Sequence, residues 1–317
     1  MSTAQVWIDE TREMLLSGYV EELLLVTSPA VTNATNKAFE ISGASSSGIV
    51  PGVIIEIGTE LMYVQTVSGT TVTVIRGYGG STASTDGHLV DSIVRVSPKL
   101  PSHRIINAIN DDLSDLSAPN NGLFQMQTTT FTYNAAVDGY NLDTSGKEIL
   151  SIYSVTYADV GSEASEPDVM NWRLKRNRET SSFASGNALI LYTGAWPGQK
   201  VNVSYKSTFT PITNGATLQT DVGLPTTAYD LPPLGAALSL MTTAPIRREF
   251  IDAQGSSRRA EEVPPGAISA SMRDLRSRRD YRVQSEAARL VAQYPAMWSR
   301  NSANRPSSQW SGFRREL

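Results

Sequence analysis

The sequence contains no cysteine and only two histidines among its 317 residues. Disulfides and thiolate metal sites are therefore excluded as a means of holding the fold together, and a reducing compartment is the expected place of assembly. The two histidines, His88 and His103, have no metal-ligating companion at a workable spacing. We expect both to be structural or exposed, and we expect no metal or cofactor site.

Recognisable catalytic motifs are also missing. The sequence has no HExxH, no GxSxG and no Ser/His/Asp arrangement, and without cysteine it has no thiol nucleophile. Two groups of carboxylates, Asp111-Asp112 and Glu163/Glu166/Asp168, could in principle supply an acid and a base. Their settings, on a polar helix face and in a loop, are typical of solvated surface. We therefore expect that the protein is not an enzyme and has no catalytic residues.

A glycine-rich run at residues 76–81 (RGYGGS) follows a predicted strand and invites comparison with phosphate-binding loops. It does not match GxxxxGK[ST] or GxGxxG, and no amphipathic helix follows whose N-terminus could receive a phosphate. The run predicts a hairpin or a loop crossing instead.

Long hydrophobic runs are absent as well. No window approaches the roughly 18 apolar residues that a membrane-spanning helix needs. The N-terminal sequence lacks the basic start and the apolar stretch of a secretory signal. We therefore expect a soluble protein with no membrane partner.

Charge is distributed unevenly along the chain. From Pro245 onward there are 14 Arg, 8 acidic residues and no Lys, a net charge of +6, whereas the preceding residues carry 13 basic and 23 acidic groups, a net charge of −10. The planar guanidinium group of arginine makes bidentate contacts with carboxylates and phosphates. The basic end is therefore expected to bind an acidic surface, and we expect that surface to belong to another protein chain.

Helical periodicity occurs in three separate parts of the sequence, residues 1–18, 101–117 and 234–295. The longest helix is predicted to end at Pro295, to be roughly 40 Å long, and to carry an apolar stripe that is interrupted at Arg279. Since short amphipathic helices need partners for their apolar stripes, we expect the three parts to pack as one discontinuous helical bundle.

Period-two patterns fill the intervening sequence. They predict a small β-barrel or sandwich in residues 19–98 and a β-sandwich in residues 123–225, with a linker over Leu224–Pro233. The fold class is therefore α+β, a helical core with two inserted β domains, and residues 299–317 are expected to form an extended C-terminal arm. The helical core then comprises residues 1–18, 99–122 and 226–298.

The arginines of the basic end are interspersed with acids. Among these, Asp274 and Arg278 have the i,i+4 spacing of a helical ion pair. Clustered arginines can bind nucleic-acid phosphates, but this mixture favours salt bridges within the helix or to neighbouring subunits. The residues that we assign to contacts between subunits are Arg258, Arg259, Arg276, Arg278, Arg279 and Arg282.

The last 20 residues combine aromatic rings and arginines with Ser, Asn and Pro. Such a composition permits a disordered terminus, but aromatic and arginine side chains are also the types that dominate binding hot spots. We interpret this segment as a docking arm. Its binding residues are Trp298, Arg300, Arg305, Trp310, Phe313, Arg314 and Arg315.

About half of the sequence resembles a known family. Two stretches, residues 52–64 (GVIIEIGTELMYV) and 70–80 (TTVTVIRGYGG), resemble a β module that recurs in phage virion proteins. The stretches that look like the helical core of tailed-bacteriophage head-to-tail adaptor proteins are residues 231–237 (LPPLGAA), 258–267 (RRAEEVPPGA) and 282–290 (RVQSEAARL), with Tyr294-Pro295.

The resemblance implies a structural virion protein. Its copies would form a ring, expected to be dodecameric, between the portal and the neck, stopper or tail proteins, and genome DNA would pass through the channel without specific binding. The acidic body and the basic end would supply the two different faces that a ring subunit presents to its neighbours. The C-terminal arm would dock on the portal. The protein would belong to the virion neck and would be assembled in the host cytoplasm.

A different function is also open at this point. β-Sandwiches with exposed aromatic rings often bind sugars, so the chain could be a carbohydrate- or receptor-binding virion protein. The candidate platform residues are Tyr140, Trp172, Tyr192 and Trp196.

Overall fold

The computed structural model describes residues 2–16, 21–27, 33–44, 46–137, 139–142, 147–158, 166–169, 171–184, 186–192, 198–243 and 267–295. Over these residues the protein is a mixed α+β fold with five α-helices and three β-sheets, which confirms the predicted class. The chain divides into two compact units. Unit 1 comprises Met1–Asp115 and Pro211–Arg282, and unit 2 comprises Leu116–Thr210 and the described residues from Val283 onward.

Proline and glycine, the residues least compatible with helical backbone, occur in only one of the five helices, α4. They are α1 (Ala4–Leu15), α2 (Ser102–Leu116), α3 (Gln219–Val222), α4 (Leu231–Thr243) and α5 (Ala267–Gln293). Helix α4 begins inside the predicted linker, so that prediction is wrong for its last three residues. Pro232 and Pro233 lie in the first turn of α4, where backbone amides have no intrahelical partner and proline is tolerated.

Unit 1 contains a six-stranded antiparallel sheet. Its strands are β1 (Leu23–Leu25), β2 (Ala38–Glu40), β3 (Ile54–Ile57), β4 (Glu60–Ser68), β5 (Thr71–Ile75) and β6 (Ile93–Val96), in the order β1-β6-β3-β4-β5-β2. The two edge strands meet where Val26 forms an antiparallel bridge with Ile41, and the Thr27 amide donates to the Glu40 carbonyl at 2.9 Å. The sheet therefore curls into a partly closed barrel.

The interior of this barrel is apolar. Alternate side chains along each strand point to the same face, and on the inner face of the barrel they include Val64, Val72, Val74 and Phe39, all fully buried. Burial of such side chains contributes about 1.5–3 kcal/mol each. The barrel thus has its own hydrophobic core.

The first amides of α1 donate hydrogen bonds to residues in the second sequence segment of unit 1. The Ala4 amide donates to the Thr217 carbonyl at 2.8 Å, and the Gln5 amide donates to the Gly215 carbonyl at 2.9 Å. These acceptors satisfy amides that a helix N-terminus leaves without an intrahelical partner. Helix α1 also packs against α4.

A reciprocal pair of hydrogen bonds attaches the returning chain to α2. The Asn110 amide group donates to the Ile212 carbonyl at 2.9 Å, and the Ile212 amide donates to the Asn110 side-chain oxygen at 2.8 Å. Residues 211–222 consequently belong to unit 1, whereas the sequence pattern grouped them with the β-sandwich.

Unit 2 contains two antiparallel sheets on one apolar core. The strands are β7 (Gln125–Thr132), β8 (Ile149–Tyr157), β9 (Trp172–Lys175), β10 (Ala188–Leu191) and β11 (Lys200–Ser207). The first sheet has the order β7-β11-β8, and β9 pairs with β10 in the second. Both sheets contribute to the core, which includes Val155, Leu189 and Val203.

The second half of α5 also belongs to unit 2. Val283 and Leu290 are buried, and the Tyr294 ring meets the rings of Phe124 and Tyr153 edge to face, with centroids 5.9 Å apart in each case. The helix ends at Gln293, two residues before Pro295, as the sequence predicted.

Candidate assembly surfaces and their buried anchors

The glycine-rich segment 76–81 is built around the buried carboxylate of Glu60 on β4. Arg76 donates from Nε to Oε1 at 2.6 Å and from Nη2 to Oε2 at 2.7 Å. The Gly77 and Ser84 amides each donate at 3.0 Å, and Nε2 of His88 lies 2.9 Å from Oε2. A carboxylate of the protein itself therefore takes the place that an anion would need, which agrees with the prediction that this run is no phosphate loop.

The five hydrogen bonds also determine the charge of Glu60. Burial opposes ionisation, but the bonds from His88, Arg76 and the two amides outweigh it and lower the pKa of Glu60 from 4.5 to about 2. Hydrogen bonds to the charged form of a carboxyl group favour that form. Glu60 is thus negatively charged at neutral pH, and His88 has the structural role that the sequence predicted.

A second buried carboxylate, Glu56 on β3, joins the barrel to α1 and α2. It accepts hydrogen bonds from the Ser102 amide at 2.5 Å and from Nη2 of Arg12 at 3.1 Å. Ser102 is the first residue of α2, and a carboxylate at a helix N-terminus satisfies a free amide and complements the helix dipole. Burial raises the pKa of Glu56, although Arg12 and Ser102 act in the opposite direction.

The third buried ion pair lies between α2 and α5. Arg279 donates from Nε to Oδ1 of Asp112 at 2.9 Å, and its Nη2 donates to Oδ2 of Asp115 at 2.6 Å. Arg279 interrupts the apolar stripe of α5 because it faces these acids rather than solvent. The prediction that Asp112 is solvated surface is wrong, since its side chain is only 5% exposed; Asp111 is exposed, as predicted.

Asp112 is incompletely satisfied, in contrast to Glu60. Its Oδ2 atom has no hydrogen-bond partner, and a Cβ atom on Gly235 of α4 would collide with the carboxylate. Helix α4 therefore approaches α2 at this point as closely as only glycine permits. Burial raises the pKa of Asp112 to about 7, against the opposing effect of Arg279.

Two of the arginines assigned to contacts between subunits have acidic partners in their own chain. One is Arg279, which binds Asp112 and Asp115. The other is Arg282, which donates to the Asp230 carboxylate at 2.7 and 3.0 Å and to the Thr227 carbonyl at 2.6 Å. Their role between subunits stays a prediction. Arg276 and Arg278 are exposed.

The remaining assigned residues cannot be placed. Arg258 and Arg259 lie outside the described residues, as do all seven residues of the docking arm, Trp298, Arg300, Arg305, Trp310, Phe313, Arg314 and Arg315.

The first part of α5 differs from the rest of the helix in its exposure. From Ser269 to Arg278 eight side chains are exposed, and only Met272 and Leu275 are half-buried. The helical ion pair in this region joins Arg276 to Asp280 at 3.9 Å, and Asp274 and Arg278 do not pair with each other in the described structure. Because isolated helices are marginal in water without tertiary packing, this exposed stretch is a candidate contact surface for another chain.

One outward face of this stretch is suited to a partner. Ala270, Asp274, Ser277 and Tyr281 follow one another at four, three and four residues and so share a face, with Arg273 and Arg278 on either side of it. Tyr281 is 72% exposed. We call residues 269–281 the basic helix segment.

The four aromatic residues considered for sugar binding do not form an exposed platform among the described residues. Tyr140 is half-buried and stacks on Phe131, with centroids 3.9 Å apart and an interplanar angle of 12°. Trp172 is half-buried against the core of unit 2. Tyr192 is exposed, and Trp196 lies outside the described residues.

Among the described residues no three acidic or histidine side chains are arranged to hold a metal ion. None of the described helices combines the length and apolar composition that a membrane crossing requires.

Comparison with known proteins gives little. No protein-family model matches the sequence, and no curated protein matches it. A solved structure described as "Virion of native gene transfer agent (GTA) particle" is similar to 56% of this chain and 79% of its own chain, at 12% identity and a TM-score of 0.18. A TM-score this low carries no argument about fold or function.

Proposed function

We propose that the protein is a structural component of a phage-like virion and, more specifically, a head-to-tail adaptor whose copies form a ring beneath the portal. The observation that carries this proposal is the exposed basic helix segment on a chain whose other part is acidic. Such a subunit has two different, oppositely charged surfaces, and heterologous contacts between unlike surfaces generate rings.

The residues that carry the family resemblance lie at structurally important positions. All seven residues of the stretch 231–237 are buried at the beginning of α4, and the stretch 70–80 contains Arg76 and Gly77, which bind Glu60. This supports a fold in which α1, α2, α4 and the first part of α5 form one discontinuous helical bundle. The barrel of residues 19–98 and the sandwich of residues 123–225 would be domains inserted into it.

The ring would have twelve copies, as in the family that the sequence resembles. Its role would be mechanical rather than catalytic: it would join the portal to the neck, stopper or tail proteins, and the genome would pass through its channel without specific binding. An acidic channel wall would repel DNA and keep it from adhering. Residues 299–317, together with Trp298, would dock on the portal.

The test is to image the full chain by electron microscopy, alone and bound to purified portal rings, and to measure its mass by sedimentation. We expect a ring that stacks coaxially on the portal. A chain that remains monomeric with portal rings present, and that is missing from the necks of particles, would overturn the proposal.

The docking arm has a separate test. Deletion of residues 299–317 should abolish copurification with portal rings while the circular dichroism spectrum of the protein stays unchanged. A matched variant, Trp310→Ser with Phe313→Ser, keeps the arginines and the length of the arm, and it should weaken copurification because aromatic anchors dominate hot spots. Undiminished copurification of the deletion variant would exclude the arm as the portal-binding element.

A further inference from the structure

Unit 1 exposes a group of aliphatic side chains on the barrel. Leu25 and Ile93 are direct partners across β1 and β6, so their side chains lie on one face, and Leu23 is two residues further along β1 on the same face. Leu89 and Val90 belong to the turn before β6, which is closed by a hydrogen bond from the Ser92 amide to the Leu89 carbonyl at 3.2 Å. We call these five residues, Leu23, Leu25, Leu89, Val90 and Ile93, the aliphatic patch.

The exposure of the patch is high for residues of this type. The exposed fractions are 53% for Leu23, 42% for Leu25, 77% for Leu89, 45% for Val90 and 50% for Ile93. Single exposed aliphatic residues need no explanation, but Leu23, Leu25 and Ile93 are neighbours on one face of the sheet, and an exposed apolar group of this kind marks a surface that binds another molecule.

An acidic side chain, Asp91, lies at one end of the patch, in the turn before β6, and is exposed. Glu22 lies one residue before Leu23, so strand alternation directs it away from the face of Leu23, and its Oε2 accepts a hydrogen bond from the Gly48 amide at 3.4 Å. The backbone of Asp91 has a φ of 67°, and its amide donates to the Val26 carbonyl at 2.8 Å, which fixes the turn that carries Leu89. The nearby cation, Arg95, is directed to acids of its own chain, since Nη2 lies 3.4 Å from Asp9. The patch therefore suits a partner with apolar and positively charged groups.

We propose that the aliphatic patch of one copy binds the basic helix segment, residues 269–281, of a neighbouring copy. This inference rests on the proposed function and specifies which two surfaces build the ring. Tyr281 would supply the large anchor side chain, a type enriched in hot spots, and Arg278 at the edge of its face would approach Asp91 at the end of the patch. The small side chains of Ala270 and Ser277 would allow the helix to lie close to the strands.

The two surfaces are different parts of the same chain, so each subunit donates one and accepts the other. A contact of this kind is heterologous and repeats around a ring, whereas a self-complementary contact would stop at a dimer. The opposite net charges of the acidic body and the basic end act in the same direction, because unlike potentials favour association in the correct orientation.

Two single-surface variants of the full chain test the proposal by sedimentation velocity, alone and with portal rings. Tyr281→Ala alters only the helix, and Ile93→Ser alters only the patch; both sites are exposed, so both variants should fold. We expect each to assemble about tenfold less tightly or worse, because truncation of a central anchor has effects of this order. Tyr192→Ala, at an exposed tyrosine of unit 2, is the matched control and should assemble like the wild type.

A mixing experiment with stronger variants gives the sharper result. Arg278→Glu with Tyr281→Ala should inactivate the helix surface, and Leu89→Asp with Ile93→Asp should inactivate the patch. Each variant alone should be monomeric, and an equimolar mixture should form dimers and nothing larger, because only one of the two contacts in each mixed pair is intact. A charge exchange, Arg278→Glu with Asp91→Arg, should recover part of the assembly that Arg278→Glu alone loses.

The outcomes separate the two proposals. If all of these variants assemble as the wild type does and rings still form on the portal, the inference about the two surfaces is wrong and the adaptor function stands. A mixture that stays monomeric overturns the inference as well. If the wild type itself stays monomeric with portal rings, both proposals fail.

Discussion

The two buried carboxylates Glu60 and Asp112 have nearly equal burial and opposite electrostatic behaviour. Their side chains are 1% and 5% exposed, yet the pKa of Glu60 is lowered to about 2 and that of Asp112 is raised to about 7. Glu60 accepts five hydrogen bonds, two of them from backbone amides. Asp112 has one oxygen with no partner. Burial alone therefore does not decide whether a buried acid remains charged: at Glu60 the hydrogen bonds outweigh burial, whereas at Asp112 burial, together with the nearby Asp115, outweighs Arg279 and raises the pKa.

The largest effect is expected at the fully satisfied site. Glu60→Gln removes the anion beside Arg76, whose side chain is only 4% exposed, and should lower the free energy of unfolding by about 4 kcal/mol, as when one partner of a buried pair is lost. Urea denaturation at neutral pH measures this. Glu13→Gln, at an exposed position of α1, should change stability by about 0.5 kcal/mol or less. A similarly small effect at Glu60 would mean that the glycine-rich segment does not depend on the carboxylate.

A somewhat smaller effect on stability is expected at Asp112, which has hydrogen-bond partners for only one of its two carboxylate oxygens. Arg279→Met leaves Asp112 without its cation and should cost about 3 kcal/mol at pH 8. The loss should be smaller at pH 5, because protonated Asp112 no longer needs a counter-charge. Arg278→Met, one residue away and exposed, provides the control in the same denaturation series. An equal loss at both pH values would show that Asp112 does not titrate between them.

The close approach of α4 to Asp112 can be tested independently of charge. Gly235→Ala introduces a Cβ atom that would collide with the carboxylate and should cost about 1–3 kcal/mol, the usual range for overpacking, although alanine favours helix more than glycine does. In an Asp112→Ala background the same substitution should be harmless or stabilising. A double-mutant cycle measures the coupling energy between the two substitutions. A coupling energy of zero would mean that Gly235 and Asp112 are not in contact.

The smallest expected effect is the pH dependence of Asp112 itself. Its folded pKa of about 7 lies above the ordinary value of 3.8, so the folded state binds more protons than the unfolded state between these values, and stability falls as the pH rises. Relative to Asp112→Asn, the wild type should lose about 1 kcal/mol between pH 6 and pH 8. Glu60 has the opposite sign: its contribution is complete above pH 4.5 and is lost as the pH falls toward 2. Parallel stability profiles for wild type and Asp112→Asn would contradict the shifted pKa.

The sequence predicts the long elements of this fold well because their periodicity extends over several repeats. The period-two pattern predicts strands at residues 61–67 and 149–157, which nearly coincide with β4 and β8, and the prolines and glycines around α5 locate that helix. It misses β1 and β9, which have three and four residues. Strand β1 is a run of three leucines without alternation, and both strands exist because neighbouring strands supply their hydrogen bonds.

The buried ion pair between Asp112 and Arg279 is visible in the sequence as two charged residues at apolar positions of helices. Periodicity alone does not show that the two residues form a pair. In α2, Ile105, Ile109, Asp112 and Leu116 share the spacing of one buried face, so Asp112 interrupts an apolar stripe. Arg279 interrupts the stripe of α5 in the same way. Two opposite charges, each at a core position of a helix, indicate that the helices meet there. Which helices meet depends on tertiary contacts that a one-dimensional pattern does not contain.

The hydrogen-bonded site around Glu60 is harder to recognise in the sequence than the ion pair between Asp112 and Arg279. The glycine-rich run suggests a special backbone, and Gly77 and Gly79 do have left-handed conformations, with φ values of 61° and 63°. Nothing in the local sequence says that the run surrounds a glutamate from a strand 16 residues earlier. The aliphatic patch is likewise invisible in sequence, because Leu23 and Leu89 resemble ordinary core residues until the register of β1 and β6 is known.

The attachment of α1 has a consequence for the order in which the protein can fold on the ribosome. The acceptors for the first amides of α1 are the carbonyls of Gly215 and Thr217, so α1 lacks these partners until residues 215–217 have been synthesised. The barrel and the two sheets of unit 2, whose strands all precede residue 215, can form earlier. A nascent chain arrested before residue 215 should therefore present a frayed N-terminus to chaperones and proteases, and translation past that point should protect it.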